Sequence, residues 1–159
     1  MKKLTIALLL LTLSALTSWA GDFQKGMSAY KSGDYTTAFK EFAALAEQGD
    51  VNAQHNLAVM YDNGEGVPQD YKQAVMWFTK AAEQGNVRAQ YNLGLMYANG
   101  QGVPQDNVYA HMWFNLSAAN GSETAPKHRD IIAKSMTIAD ISKAQSLARD
   151  CLKKNYKGC

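Results

Sequence analysis

Cysteine is nearly absent from this chain: Cys151 and Cys159 are the only two in 159 residues. Their spacing excludes a CxxC redox pair, and too few partner ligands stand nearby for a metal site. Histidine is equally sparse. His55, His111 and His128 fall on different segments, with no HxxxH or Cys/His cluster to converge on a divalent ion. Charge of one sign is also lacking. The net charge is +2, and without Lys2 and Lys3 fourteen basic residues face fourteen acidic ones. A balance near zero gives no broad electrostatic footprint for nucleic acid, whose recognition needs clustered Lys and Arg.

Long apolar runs are confined to the beginning. Lys2 and Lys3 precede an uncharged stretch from Leu4 to Leu16, followed by Ser18-Trp19-Ala20. This is the pattern of a secretory signal peptide, with cleavage expected after Ala20, and the run is short of the roughly 20 residues a membrane span needs. No Cys follows it, which argues against a lipid anchor, and no later stretch is long enough to span. The expected product is a periplasmic or secreted chain with no integral membrane segment. In an oxidising compartment Cys151 and Cys159 are expected to pair, closing a loop of about nine residues and pinning the tail.

What the chain does have is a repeat. Residues 34–69 lie over residues 70–105 without a gap, with about 21 of 36 positions identical. A third copy starts at Asp106 and keeps Ala110, Trp113, Phe114, Gly121 and Ala125 in phase before diverging. Helix punctuation recurs in register. Gly49, Gly85 and Gly121 read as C′ glycines, each followed by a capping side chain, Asp50, Asn86 or Ser122. Asp34, Asp70 and Asp106 read as further caps. Asn63-Gly64 and Asn99-Gly100 supply helix stops, and Pro68 and Pro104 keep the following loops extended. Each unit is therefore helix, loop of eight residues, helix, tight turn.

Apolar spacing agrees. Ala74, Trp77, Phe78 and Ala81 fall at i, i+3, i+4 and i+7, and Ala89, Leu93, Met96 and Tyr97 fall on one helical stripe. The recurrence of Trp77 and Phe78 as Trp113 and Phe114 marks core rather than a ligand cage. Gly94 sits mid-helix at a cost of about 1 kcal/mol against Ala, so a neighbouring helix is expected to approach closely there. Thr137-x-x-Asp140 forms a capping box opening a last helix to about Lys154, whose Ile141, Ala144, Leu147, Ala148 and Cys151 suit a cap. One such unit cannot bury both faces, so neighbours must stack.

The string Ala89-x3-Leu93-Gly94-x-Met96-Tyr97-x2-Gly100-x-Gly102-Val103, then Asp106, Ala110 and Trp113, resembles the Sel-one-like repeat, a relative of the tetratricopeptide repeat. The resemblance covers about residues 33–121. It departs in the third unit, where Arg129 stands for Leu and Ala133 for Tyr. The fold it implies is all-α, a short right-handed α-solenoid of antiparallel helix pairs with a C-terminal capping helix. The expected layout is a signal peptide at 1–20, a half unit at about 22–49, repeats at about 50–85 and 86–121, and an atypical third unit with its capping helix at 122–159.

The resemblance further implies that a partner lies on the concave surface, lined by the helices carrying Leu-Gly-x-Met-Tyr. The outward candidates are Asn52, His55, Asn56, Val59 and Asp62 in one unit, and Arg88, Tyr91, Asn92, Leu95 and Asn99 in the next. Lys127, His128 and Ile131 follow in the third. The repeats differ on this face, with His55 for Tyr91, Asn52 for Arg88 and Val59 for Leu95, while core and cap positions recur. Asn56 and Asn92 have a structural alternative, bonding to a neighbouring turn.

The expected function is a protein–protein interaction module holding an envelope protein or peptide, not an enzyme, with no cofactor. The alternative is a cell-envelope hydrolase of β-lactam or peptidoglycan bonds. Its hook is Ser28-Ala29-Tyr30-Lys31, an SxxK string without the SDN and KTG companions such enzymes carry. Some cysteine-rich members of the repeat family have been associated with penicillin binding, and the Cys151-x7-Cys159 spacing resembles theirs. Asn115-Leu116-Ser117 matches a glycosylation sequon formally but falls mid-helix.

Overall fold

The computed structural model describes residues 22–159; the expected signal peptide lies outside the described residues. Among the described residues there are eight helices and no strand: α1 Phe23–Ser32, α2 Tyr35–Glu47, α3 Val51–Asn63, α4 Tyr71–Ala82, α5 Val87–Asn99, α6 Asn107–Ala119, α7 Ala125–Ala133 and α8 Ile138–Lys153. Each of the first six packs on the next in the chain, and α8 packs on α6. This is an all-α solenoid of helix pairs.

The caps explain where the helices begin. Asp50 and Asn86 accept the backbone N–H of Ala53 and Ala89 at 2.7 and 2.9 Å, and Asp34, Asp70 and Asp106 cap α2, α4 and α6 in the same way. Gly64 and Gly100 end α3 and α5 in the left-handed conformation. The capping box at Thr137 and Asp140 is formed, and α8 runs from Ile138 to Lys153. At the third unit the expected cap differs. Ser122 Oγ still accepts the N–H of Ala125 at 3.2 Å, but α7 begins only at Ala125. The bond that would close an earlier turn runs from residue 126 to the Ser122 carbonyl, and residue 126 is proline, which has no N–H to give.

Phe42, Phe78 and Phe114, spaced 36 residues apart, are fully buried, as are Leu57, Leu93 and Met60. Trp77 and Trp113 are buried with them, and Lys80 lies over the Trp77 ring, its Nζ 4.0 Å from the centroid. At Gly94 a neighbouring helix comes close. A Cβ there would meet the Phe114 ring at 2.6 Å, and one on Gly26 of α1 would meet Phe42 at 2.8 Å. The close approach expected from a mid-helix glycine is therefore present, and it occurs twice.

Two buried glutamines join the units. Gln54 and Gln90 donate to the carbonyls of Ala46 and Ala82, both at 3.2 Å, closing each tight turn from inside. Each also accepts from the next turn outward, Gln54 from Gln84 and Gln90 from Asn120. The Cys151–Cys159 disulfide folds the tail back, and Tyr156 donates to Asn120 while the Gly158 N–H donates to Glu83, both at 2.8 Å.

Candidate functional site

α1, α3, α5 and α7 form one layer, and side chains bridge it helix by helix. Asn56 of α3 donates to the sulfur of Met27 on α1 at 3.6 Å, Asn92 of α5 meets His55 Nε2 at 3.4 Å, and the Tyr91 hydroxyl meets His128 of α7 at 3.3 Å. Asn56 and Asn92 thus bond to the neighbouring helix rather than to a turn. The rings sit on the core. His55 lies 5.7 Å from Phe78 between centroids, Tyr91 5.6 Å from Phe114, and Tyr91 and His128 pack edge to face at 5.2 Å.

Two clefts open on this layer and share Val87 and Arg88 in their walls. The first, about 470 Å³, is lined by Phe23 and Met27 of α1, Asn52, His55 and Asn56 of α3, and the start of α5 from Asn86 to Arg88. The second, about 540 Å³, lies beyond Arg88, between Tyr91 and the turn from Asn120 to Thr124. Burial, aided by the nearby Arg88 charge, holds the His55 pKa below its ordinary value. His55 is therefore neutral near pH 7, and Arg88 is the charged side chain of the first cleft. The Arg88 side chain is exposed, and among the described residues no hydrogen bond or ion pair engages its guanidinium.

Of the expected surface residues, Asn52, His55, Asn56, Arg88 and Tyr91 come together around the clefts, while Asn92 and His128 stand in the bridging row. The others do not line either cleft. Val59 and Leu95 are half-buried against the core, and burial raises the Asp62 carboxyl pKa. Asn99 turns to Gln101, while Lys127 and Ile131 are exposed on α7. Phe23, Met27, Val87 and the turn at 120–124 were not among the candidates. Their signal was the i, i+4 spacing of Phe23 and Met27 on the lead-in helix, which stands in the layer as the equivalent of α3 and α5.

His111 is 3% exposed on the packed side of α6, its Nδ1 without a hydrogen-bond partner, and burial lowers its pKa. Among the described residues no group of three or more His, Cys, Asp or Glu is placed to hold a metal ion. Ser28 and Lys31 are both exposed on α1, and no hydrogen bond joins them. Ser117 of the formal sequon is fully buried. No described helix is long and apolar enough to cross a membrane.

Residues 51–86 and 87–122 each match the Sel1 repeat. The chain thus carries two Sel1 repeats, a kind of repeat that generally serves as a protein–protein interaction module. No curated protein matches it. Among solved structures it is similar to c5321, a protective antigen present in uropathogenic Escherichia coli strains displaying an SLR fold, at 30% identity and a TM-score of 0.78. That alignment covers 82% of this chain and 30% of the antigen. A Sel1 repeat protein from Oxalobacter formigenes is 33% identical over 68% of this chain and 43% of its own, with a TM-score of 0.63. Helicobacter pylori cysteine rich protein B is 26% identical over 56% of this chain and 67% of its own, with a TM-score of 0.54. This chain thus spans less than half the length of the first two.

Proposed function

We propose that this chain is an exported interaction module that holds an extended segment of an envelope protein in the groove made by α1, α3, α5 and α7. One observation carries the reading. The two repeats preserve their buried Phe, Leu, Met and Gln positions while the residues around the clefts change, with Asn52 for Arg88 and His55 for Tyr91. A scaffold kept constant beneath two adjoining, varied clefts suits recognition. The helices are already packed, so binding orders little of the module itself, and a few anchors set specificity. Export rests on the charged and apolar pattern of residues 2–20, and the disulfide suits an oxidising compartment.

A photo-crosslinking residue placed at Asn52 in intact cells tests this, with Lys72 on α4 as the control position. Capture of a discrete partner from Asn52 and none from Lys72 is expected. Equal capture from both positions, or none from either, refutes the groove.

A further inference from the structure

We infer that the groove selects a peptide carrying an acidic side chain for Arg88, an apolar side chain for the Phe23 end, and a basic side chain for Glu123. The inference rests on the peptide-binding reading above and adds the chemistry of the occupant.

Arg88 stands between the two clefts and lines both. A segment running from one cleft into the other passes this guanidinium in mid-course, so the carboxylate that meets it belongs to an internal Asp or Glu. A chain terminus would occupy one cleft and leave the other empty. The guanidinium is uncommitted, presenting its full fork of donors to whatever enters, and carboxylate geometry matches that fork. Neutral His55 and the amides of Asn52 and Asn56 add hydrogen-bonding groups without a competing negative charge.

The ends of the groove differ. Phe23 and Met27 make the α1 end apolar, and Met27 is the kind of adaptable surface that accepts varied aliphatic side chains. The far end carries Glu123 with Ser122 and Thr124, and Glu123 is exposed and forms no ion pair with Arg88. Opposite charges separated along one groove fix the direction in which a charged segment lies, since the reversed peptide puts like charges together.

Panning a random peptide library against the purified chain tests the rule, followed by fluorescence anisotropy with an enriched peptide. Enriched sequences are expected to share an acidic residue between an apolar and a basic one. Arg88→Glu, at an exposed site in the first helical turn where Glu is well tolerated, is expected to weaken that peptide about 10-fold or more. A partner peptide with its acid changed to Lys is expected to regain affinity for Arg88→Glu only. Enrichment without an acidic position, or an Arg88→Glu protein that binds as before, overturns the charge rule and leaves the groove in place. Retention of no peptide at all overturns both.

Discussion

Gly102 and Gly100 offer a controlled comparison, because both sit in the same loop with nearly the same backbone angle, φ of 71° and 68°. Placing Ala in that left-handed region costs about 1–2 kcal/mol at either position. Their surroundings differ. A Cβ on Gly100 meets the Gln105 Cβ at 3.3 Å, a contact relieved by a small shift. A Cβ on Gly102 lands on the Tyr71 carbonyl, deep inside van der Waals contact, with the Lys72 nitrogen at 3.0 Å; both neighbours are backbone at the capped start of α4. They cannot rotate away, so the loop must lift off the preceding unit. Overpacking of this kind adds about 1–3 kcal/mol. Gly102→Ala should therefore melt below Gly100→Ala by several degrees, at about 4 °C per kcal/mol for a chain of this size. Thermal denaturation followed by circular dichroism at 222 nm measures it. Two variants melting within a degree of each other would refute the claim that this loop is clamped onto its neighbour.

Gly94→Ala gains about 1 kcal/mol of helix propensity but drives a methyl into Phe114, itself hemmed by Tyr91 and His128. Urea denaturation should show a net loss of about 1 kcal/mol, relieved when Phe114→Leu is added; a net gain would contradict the packing. Cys159→Ser should lower stability by about 2–3 kcal/mol and, in hydrogen exchange, release protection at Gly158. Unchanged exchange there would show the tail held without the bond. His111 and His55 both have lowered pKa values, so the unfolded chain binds the extra protons. Their contribution to stability is complete above about pH 6.5 and is lost as pH falls through the folded values. The melting temperature should drop between pH 7.5 and 5, and His111→Val, the residue at the matching position 75, should flatten that drop. An equally steep profile in the variant would place the sensitivity elsewhere.

The solenoid was legible because its determinants are local or repeated. Glycine stops and Asp and Asn caps act within a turn or two of chain, and buried aromatic positions such as Phe78 and Phe114 recur every 36 residues. The late start of α7 was harder to read, since it turns on one missing N–H at Pro126 opposite Ser122. The lining of the two clefts was legible in part. Asn52, His55, Asn56, Arg88 and Tyr91 lie on the varied face of the helices to which the repeat resemblance pointed. Phe23 and Met27 escaped because α1 connects to α2 through only Gly33 and Asp34, which breaks the 36-residue register that aligns the other units. The Gln54 and Gln90 bridges were also missed. A glutamine on the buried stripe of an otherwise apolar helix reads as an exception until the turn carbonyl it satisfies is seen.

Stacked helical arrays ordinarily unravel from their ends, because each unit knows only its immediate neighbour. The bond from Gly158 to Glu83 spans 75 positions and skips a whole unit. Fraying at the C-terminal edge therefore disturbs the turn before α5, where Arg88 stands. Tension on the tail, or its proteolytic trimming, would release this contact with the middle of the array.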